Sequence, residues 1–175
     1  MDLQHLVMRL TRNAAAFRSL LGGLADEPGG KDLVRWSPAP RKWSLLLVVN
    51  HLADEERDDF KVRLDHTLHR PGVAWPGIDP EGWVTSRDYA AQEFEPSLQR
   101  FLVERERSLR WLEQLDSPDW SATYEHPAIG TLSAGDLMAA WVDHDHQHMR
   151  QVLGLLHGSL CAHVEPNATD YAGDW

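Results

Sequence analysis

Apolar side chains recur at steps of three and four residues in four stretches of the chain, which is the period of an α-helix with one buried face. The first stretch starts at Leu3 and is closed by Gly22-Gly23. The second begins at Ser44, whose hydroxyl can cap the free N–H groups of a first helical turn, and it fades near Arg70. Both stretches predict helices that bury a stripe of aliphatic side chains.

The third and fourth helical stretches lie in the second half of the chain. The third covers residues 86–115, and Pro96 predicts either a kink or a short separate helix before it. The fourth starts at Ser133, which forms a capping-box pattern with Asp136, and it is predicted to end near His157, at Gly158. Four such helices predict an all-α fold.

Long connections separate these helices. Residues 25–42 and the stretch from Trp75 to Trp83 are predicted to be loops, and residues 119–132 are predicted to hold a small hairpin. Connections longer than about eight residues disfavour an up-down-up-down bundle with tight turns. We predict one domain over residues 1–158 and a loosely ordered tail, 159–175, which has no helical periodicity.

Composition and charge restrict the classes of partner. The formal net charge of −10 argues against nucleic acid and against an anionic membrane surface, since both require clustered Lys and Arg. A single cysteine, Cys161, excludes an internal disulfide and fits a reducing cytoplasm, and no apolar run reaches the ~20 residues of a membrane span. The eight tryptophans are expected as packing anchors or pocket walls, with Trp75 and Trp83 as candidates for a wall.

Three histidines lie within five residues of the fourth predicted helix: His144, His146 and His148. On a helix His144 and His148 share the apolar face, while His146 points away from it. Neutral imidazoles at i and i+4 can chelate one metal ion, although such a pair also occurs by chance or as buried structural histidines. A catalytic metal usually takes three protein ligands, and His51, at the edge of the second helix's stripe, is the best third donor.

Other polar residues are candidates for supporting roles. Metal-bound imidazoles usually donate their second N–H group, and Asp54, Glu55 and Asp145 could accept it, although each could equally be surface charge. Arg150 and Gln151 could orient the site or cap the helix. His146 is expected to face solvent or a partner subunit, and His126 precedes a proline in a predicted turn. The remaining histidines, expected to be mostly solvated, are His5, His66, His69, His157 and His163.

Motifs of nucleophile-based and nucleotide chemistry are absent. No Gly-x-Ser-x-Gly sequence occurs, Ser133 is explained by capping, and Cys161 falls in the predicted tail. Gly29-Gly30 is followed by Lys31 without the phosphate-loop pattern, which argues against nucleotide hydrolysis.

The histidines and their neighbours resemble the DinB/YfiT-like superfamily over roughly residues 3–157. The matching motifs are Lys42-Trp43-Ser44, Asn50-His51-Leu52-Ala53-Asp54-Glu55 and His144-Asp145-x-x-His148-x-Arg-Gln151. The resemblance implies a four-helix bundle with long crossover connections, often dimeric. It also implies that His51, His144 and His148 hold a divalent metal; His146 between two of them departs from the simplest pattern.

The function implied by this resemblance is that of a divalent-metal-dependent enzyme. Characterised relatives use low-molecular-weight thiols such as mycothiol or bacillithiol in transfer or isomerase reactions, and many members have no known activity. We therefore expect a homodimer that binds zinc, nickel, iron or manganese and acts on a thiol and an electrophile as a thiol-dependent transferase or isomerase. The alternatives are a non-catalytic metal-binding stress-response module and a bundle with coincidental histidines.

Overall fold

Helices dominate the computed structural model, which describes residues 1–175. The seven α-helices are α1 Leu3–Leu21, α2 Gly30–Arg35, α3 Leu45–Asp58, α4 Phe60–His69, α5 Pro80–Ser86, α6 Phe94–Glu113 and α7 Ala134–Val164. Two short strands, β1 Thr123–His126 and β2 Gly130–Ser133, form an antiparallel hairpin immediately before α7. Single 3₁₀ turns occur at Leu24–Asp26, Tyr89–Ala91 and Asp170–Ala172.

Four long helical segments form the bundle: α1, α3 continued by α4, α6, and α7. Helix α3 packs chiefly against α6, α1 packs against α6 and α7, and α4 packs against α7. Long connections, one of them containing the hairpin, join these segments. The predicted all-α four-helix bundle with a hairpin before the last helix is confirmed.

Side-chain caps define where the bundle helices begin. The carboxylate of Asp2 accepts from the backbone N–H of His5 at the start of α1, and the hydroxyl of Ser44 accepts from Leu47 at the start of α3. Ser133 and Asp136 form the predicted reciprocal capping box at the start of α7. Local sequence therefore determines the beginning of α3 and of α7, the two helices that carry the candidate ligands.

Several elements differ from the sequence-based prediction. Residues 25–42, predicted as a loop, contain α2. The second helix is divided at Asp59 (φ −115°, ψ −91°) into α3 and α4. Pro96 neither kinks nor interrupts α6, because it lies in the first turn, where a backbone N–H has no partner within the helix. Part of the loop predicted between Trp75 and Trp83 forms α5, which Asp79 caps.

The last helix extends well beyond its predicted end. Gly158 lies inside α7, and a Cβ at this position would be 2.9 Å from Cη2 of Trp36. This glycine provides space for the indole of Trp36 and does not terminate the helix. Cys161 is consequently helical, and at the C-terminus the ring of Trp175 stacks on His157 at 4.2 Å.

The interior contains two apolar clusters, with polar residues between them along the helices. One cluster includes Phe17 of α1, Leu52 of α3 and Phe101 of α6; the other includes Leu10 of α1 and Trp141 of α7. None of the helices combines the length and apolar character that a membrane crossing requires.

Candidate metal centre

The three predicted ligands converge between α3 and α7. The Nε2 atom of His51 lies 3.3 Å from that of His144, and the Nε2 atom of His148 lies 3.1 Å from that of His144. One ligand nitrogen from each residue lies within 4.8 Å of the others. His51 comes from the second turn of α3, and the stacked pair comes from the middle of α7.

The geometry and chemistry of the donors fit a divalent metal. Imidazole nitrogens bind zinc at about 2.0–2.1 Å, so two nitrogens on one ion lie about 3.0–3.4 Å apart at bond angles near 90–110°. Both short Nε2–Nε2 distances fall in this range. Three imidazoles on two helices are also a usual ligand set for a metal with open coordination positions.

Burial keeps the imidazoles uncharged. Desolvation, followed by the proximity of His148, lowers the pKa of His51 to about 3. Desolvation and both neighbouring histidines lower the pKa of His144 to about 2, and desolvation also lowers the pKa of His148. Only a neutral imidazole has a lone pair for a cation, so the three side chains are in their ligating form at neutral pH.

Two polar side chains face the outer nitrogens of the ligands. Nδ1 of His148 is 2.8 Å from Oε1 of Gln151, a hydrogen bond that directs Nε2 toward the other histidines. Nδ1 of His51 has no hydrogen-bond partner, and Oε1 of Glu55 is 3.8 Å away from it. The expected support from Gln151 is present, and Glu55 is the nearest carboxylate to His51.

The other two carboxylates considered for this role are engaged elsewhere. Asp54 accepts from the Tyr89 hydroxyl at 2.6 Å and pairs with Arg87. Asp145 is fully buried and pairs with Arg105. Neither forms a hydrogen bond with a ligand histidine, and neither is surface charge, since both are buried.

Aromatic rings enclose the histidines. The ring of Trp43 lies 4.8 Å from that of His51 and 6.5 Å from that of His148, to which it is nearly parallel. Phe60 contacts His144 at 5.0 Å and stacks on Trp141. These rings exclude water from one side of the site and lower its effective dielectric constant.

Trp75 and Trp83 do not form the predicted wall. The rings of Trp75 and Tyr124 of the hairpin stack with their centres 4.1 Å apart. The guanidinium of Arg87 lies 4.0 Å from the ring centre of Trp83. The sequence analysis included Trp43 only in a family motif and did not identify it as a wall of the site. Among the eight tryptophans only Trp175 is strongly exposed.

The remaining histidines lie outside the cluster. His126 ends β1, and its Nδ1 accepts a hydrogen bond from the backbone N–H of Ala128, so its side chain stabilises the turn of the hairpin. His146 is half-buried and belongs to no group of ligands. His66 is buried, contrary to the expectation that it is solvated.

A buried polar network that the sequence analysis did not identify lies near the histidines. Its centre is Arg105 of α6, which donates to Glu56 of α3 and to Asp145 of α7. Trp141 donates to Glu56, and Asn13 donates to Asp145. We refer to these five residues as the Arg105 network. A signal was present in the sequence, since each of the five occupies a core-facing position of its helix.

Comparison with known proteins agrees with this fold. The family model of the DinB superfamily matches residues 9–152, so the chain belongs to the DinB superfamily. A protein of Oceanobacillus iheyensis, OB0782, described as a "putative metal-dependent hydrolase", is 27% identical over 114 residues, which are 65% of this chain. The matched region spans 64% of that relative's length.

A solved structure shows the same fold. YfiT from Bacillus subtilis, described as a probable metal-dependent hydrolase with an unusual four-helix bundle topology, superimposes with a TM-score of 0.74. The superposition covers 88% of this chain and 85% of YfiT, at 18% sequence identity.

Proposed function

We propose that the protein is a divalent-metal-dependent enzyme whose ion is held by His51, His144 and His148. The observation that carries this proposal is the convergence of three Nε2 atoms, at 3.3 and 3.1 Å, from two helices. The description of two relatives as metal-dependent hydrolases supports it. Among the expected metals, imidazole ligands suit zinc, nickel and iron better than manganese, and metal availability in the cell decides among them.

The donor set favours an anionic partner for the ion. Three neutral imidazoles leave the charge of a divalent cation uncompensated, and the ion supplies a nucleophile at neutral pH by lowering the pKa of a bound water or thiol. The three histidines would hold the ion, Gln151 orients the ring of His148, and Trp43 and Phe60 exclude bulk water from one side of the site.

Hydrolysis and thiol transfer are the two reactions that this arrangement supports. The descriptions of the relatives favour water as the nucleophile. The family resemblance favours a low-molecular-weight thiol attacking an electrophile. In both cases the side chains of the site would bind the ion and orient its ligands, and the structure identifies no additional catalytic side chain.

Metal binding is tested first, on protein purified without a tag. Elemental analysis should find about one divalent ion per chain, and Co²⁺ should bind with the visible absorption of a low-coordinate nitrogen site. The variants His51→Ala and His148→Ala should lose this binding, whereas His146→Ala, on the same helix, should retain it. Parental Co²⁺ affinity in the first two variants would refute the proposed site.

The nucleophile is tested on the Co²⁺ protein. Adding a thiol should shift the absorption spectrum if the thiol is the nucleophile, because a thiolate changes the ligand field. An unchanged spectrum together with ester or amide hydrolysis would indicate a hydrolase. If the protein shows neither thiol binding nor hydrolysis, the second candidate remains, which is a non-catalytic metal-binding module.

This second candidate is favoured by one observation. The three imidazoles lie between α3 and α7, which pack chiefly on other helices, so an ion there would hold them together. It predicts that chelation lowers the melting temperature strongly and that thiols leave the metal spectrum unchanged.

A further inference from the structure

Arg105 joins the two helices that carry the candidate ligands. Its Nε and Nη2 atoms donate to the carboxylate of Glu56 at 2.8 and 2.9 Å, and its Nη1 and Nη2 atoms donate to that of Asp145, both at 2.8 Å. All three side chains are at most 2% exposed. Two bidentate pairs from one guanidinium impose a narrow geometry on both partners.

The two carboxylates are close to the ligands along the chain. Glu56 follows His51 by five residues on α3, which is about 7.5 Å along a helix axis, and Asp145 directly follows His144 on α7. Any sliding of α3 along α7 that separated His51 from His144 would also pull Glu56 and Asp145 off the same guanidinium. The network therefore determines the relative position of the two halves of the site.

Direct packing between α3 and α7 is limited, and α4, which continues α3, provides more of the contact with α7. Helix α3 packs chiefly against α6, and α7 packs chiefly against α4 and α1. Arg105 extends from α6, the main partner of α3, and reaches Asp145 of α7. It also donates to the backbone carbonyl of Leu10 on α1 at 3.3 Å, so one side chain contacts all four segments of the bundle.

The charges of the network do not cancel. One guanidinium faces two carboxylates, and the additional donors, the indole of Trp141 and the amide of Asn13, are neutral. A net charge of −1 in a low-dielectric interior is costly when it is isolated, and a nearby cation offsets this cost. Beside the effect of desolvation, however, Arg105 lowers the pKa of His144, whereas Asp145 acts to raise that of His148. The two signs of charge act on different ligands, so the value of the network to the site lies in its geometry.

We propose that Arg105, through Glu56 and Asp145, is a positioning residue for the metal site. This inference rests on the proposed function, because it presupposes that the three histidines hold a metal. It assigns the network a role besides stability: the network sets the distance between His51 and the α7 pair before any ion binds.

The test compares Co²⁺ binding in two variants of the full chain. Arg105→Lys keeps the positive charge but loses the planar fork, and Asp145→Asn keeps the shape of the side chain but removes its charge. Arg107→Met is the matched control, since Arg107 is an exposed residue of α6 that pairs only with Glu104. Affinity and visible spectrum are measured on protein shown to be folded by circular dichroism.

Both network variants should bind Co²⁺ about tenfold or more weakly than the parent, as is usual for residues that position metal ligands. Arg105→Lys should also alter the visible spectrum, and the control should match the parent in both readouts. A purely structural role would lower the melting temperature of the variants while leaving the Co²⁺ affinity and spectrum of the folded protein unchanged. That result in either variant would overturn the inference.

Two further outcomes remain decisive. If both variants fail to fold, Asn13→Ala replaces them, because it removes only one neutral donor to Asp145; a parental Co²⁺ affinity in this variant would then overturn the inference. If the parent chain itself binds no Co²⁺, the proposed function fails, which is distinct from a parent that binds and variants that bind equally well.

Discussion

The Nε2 atoms of His51 and His144 lie 3.3 Å apart although the two residues are separated by 93 positions in the chain. One is on α3 and the other on α7, and His148 completes the group from the next turn of α7. Neutral nitrogens brought this close and kept out of water are typical of a site prepared for a cation.

Gln151 should affect metal affinity through the orientation of His148. Replacing it by alanine removes the 2.8 Å contact to Nδ1 and frees the ring to rotate. We expect Gln151→Ala to weaken Co²⁺ binding by about tenfold, without unfolding the chain. Gln147→Ala is the control, because Gln147 is exposed and bonds to Asp143. Equal affinities in the two variants would contradict this role.

The metal-free protein should lose stability on acidification. The folded-state pKa values of His51 and His144 are about 3 and about 2, whereas an unfolded histidine has a pKa of about 6.5. Below pH ~6.5 these two side chains bind protons in the unfolded chain that they do not bind in the folded chain, so their contribution to the free energy of unfolding falls as the pH decreases toward about 3. Burial raises the pKa of Glu55 to about 8, and this carboxyl contributes in the opposite direction. Each histidine contributes a slope of about 1.4 kcal/mol per pH unit in this window.

Urea unfolding of chelator-treated protein between pH ~6.5 and ~4.5 measures this slope. Carboxylates also titrate toward the lower end of the range, so the comparison with His51→Asn isolates the histidine contribution. The variant should show a shallower decrease in stability than the parent. Identical slopes would mean that His51 is protonated in the folded state.

Trp43 should report on metal binding by fluorescence. Its ring lies 4.8 Å from that of His51, close enough for a bound paramagnetic ion to quench its emission. We expect Co²⁺ to reduce the intrinsic fluorescence of the parent and to have a smaller effect on Trp43→Phe. The control variant is Trp175→Phe, whose indole stacks on His157 at the C-terminus; its quenching should equal that of the parent.

Two glycines of α7 should respond oppositely to alanine. A Cβ at Gly158 would meet the indole of Trp36 at 2.9 Å, whereas a Cβ at Gly154 meets nothing within 4 Å. We expect Gly158→Ala to destabilise the fold by about 1–3 kcal/mol through overpacking. Gly154→Ala should stabilise it by up to about 1 kcal/mol through helix propensity. Thermal unfolding measures both, and stabilisation by both would mean that Trp36 does not pack on α7.

A homodimer stays a prediction from the family resemblance. Sedimentation should give a mass about twice the 19.9 kDa of one chain. Two exposed leucines seven residues apart on α7, Leu153 and Leu160, would suit such an interface. A monomeric mass would remove the dimer but leave the metal site intact, since all three histidines belong to one chain.

Local sequence was sufficient for the four long helical segments and for the starts of α3 and α7, but not for the short helices α2 and α5. Ser44 and Ser133 cap α3 and α7 as predicted, because a cap depends only on residues within one turn. Helix ends were less predictable. Gly158 resembles a terminator in sequence, but the indole of Trp36, more than a hundred residues away, packs on it and the helix continues.

The candidate ligands were also predictable, because periodicity placed His144 and His148 on the core face of one helix and His51 beside the core face of another. Their convergence depends on the tertiary structure, since no local rule sets the register between α3 and α7. The contacts within the Arg105 network likewise depend on the tertiary structure. Sequence places Glu56, Arg105 and Asp145 on three apolar faces, where each alone would be costly, and only the packed bundle brings them into contact so that they compensate one another.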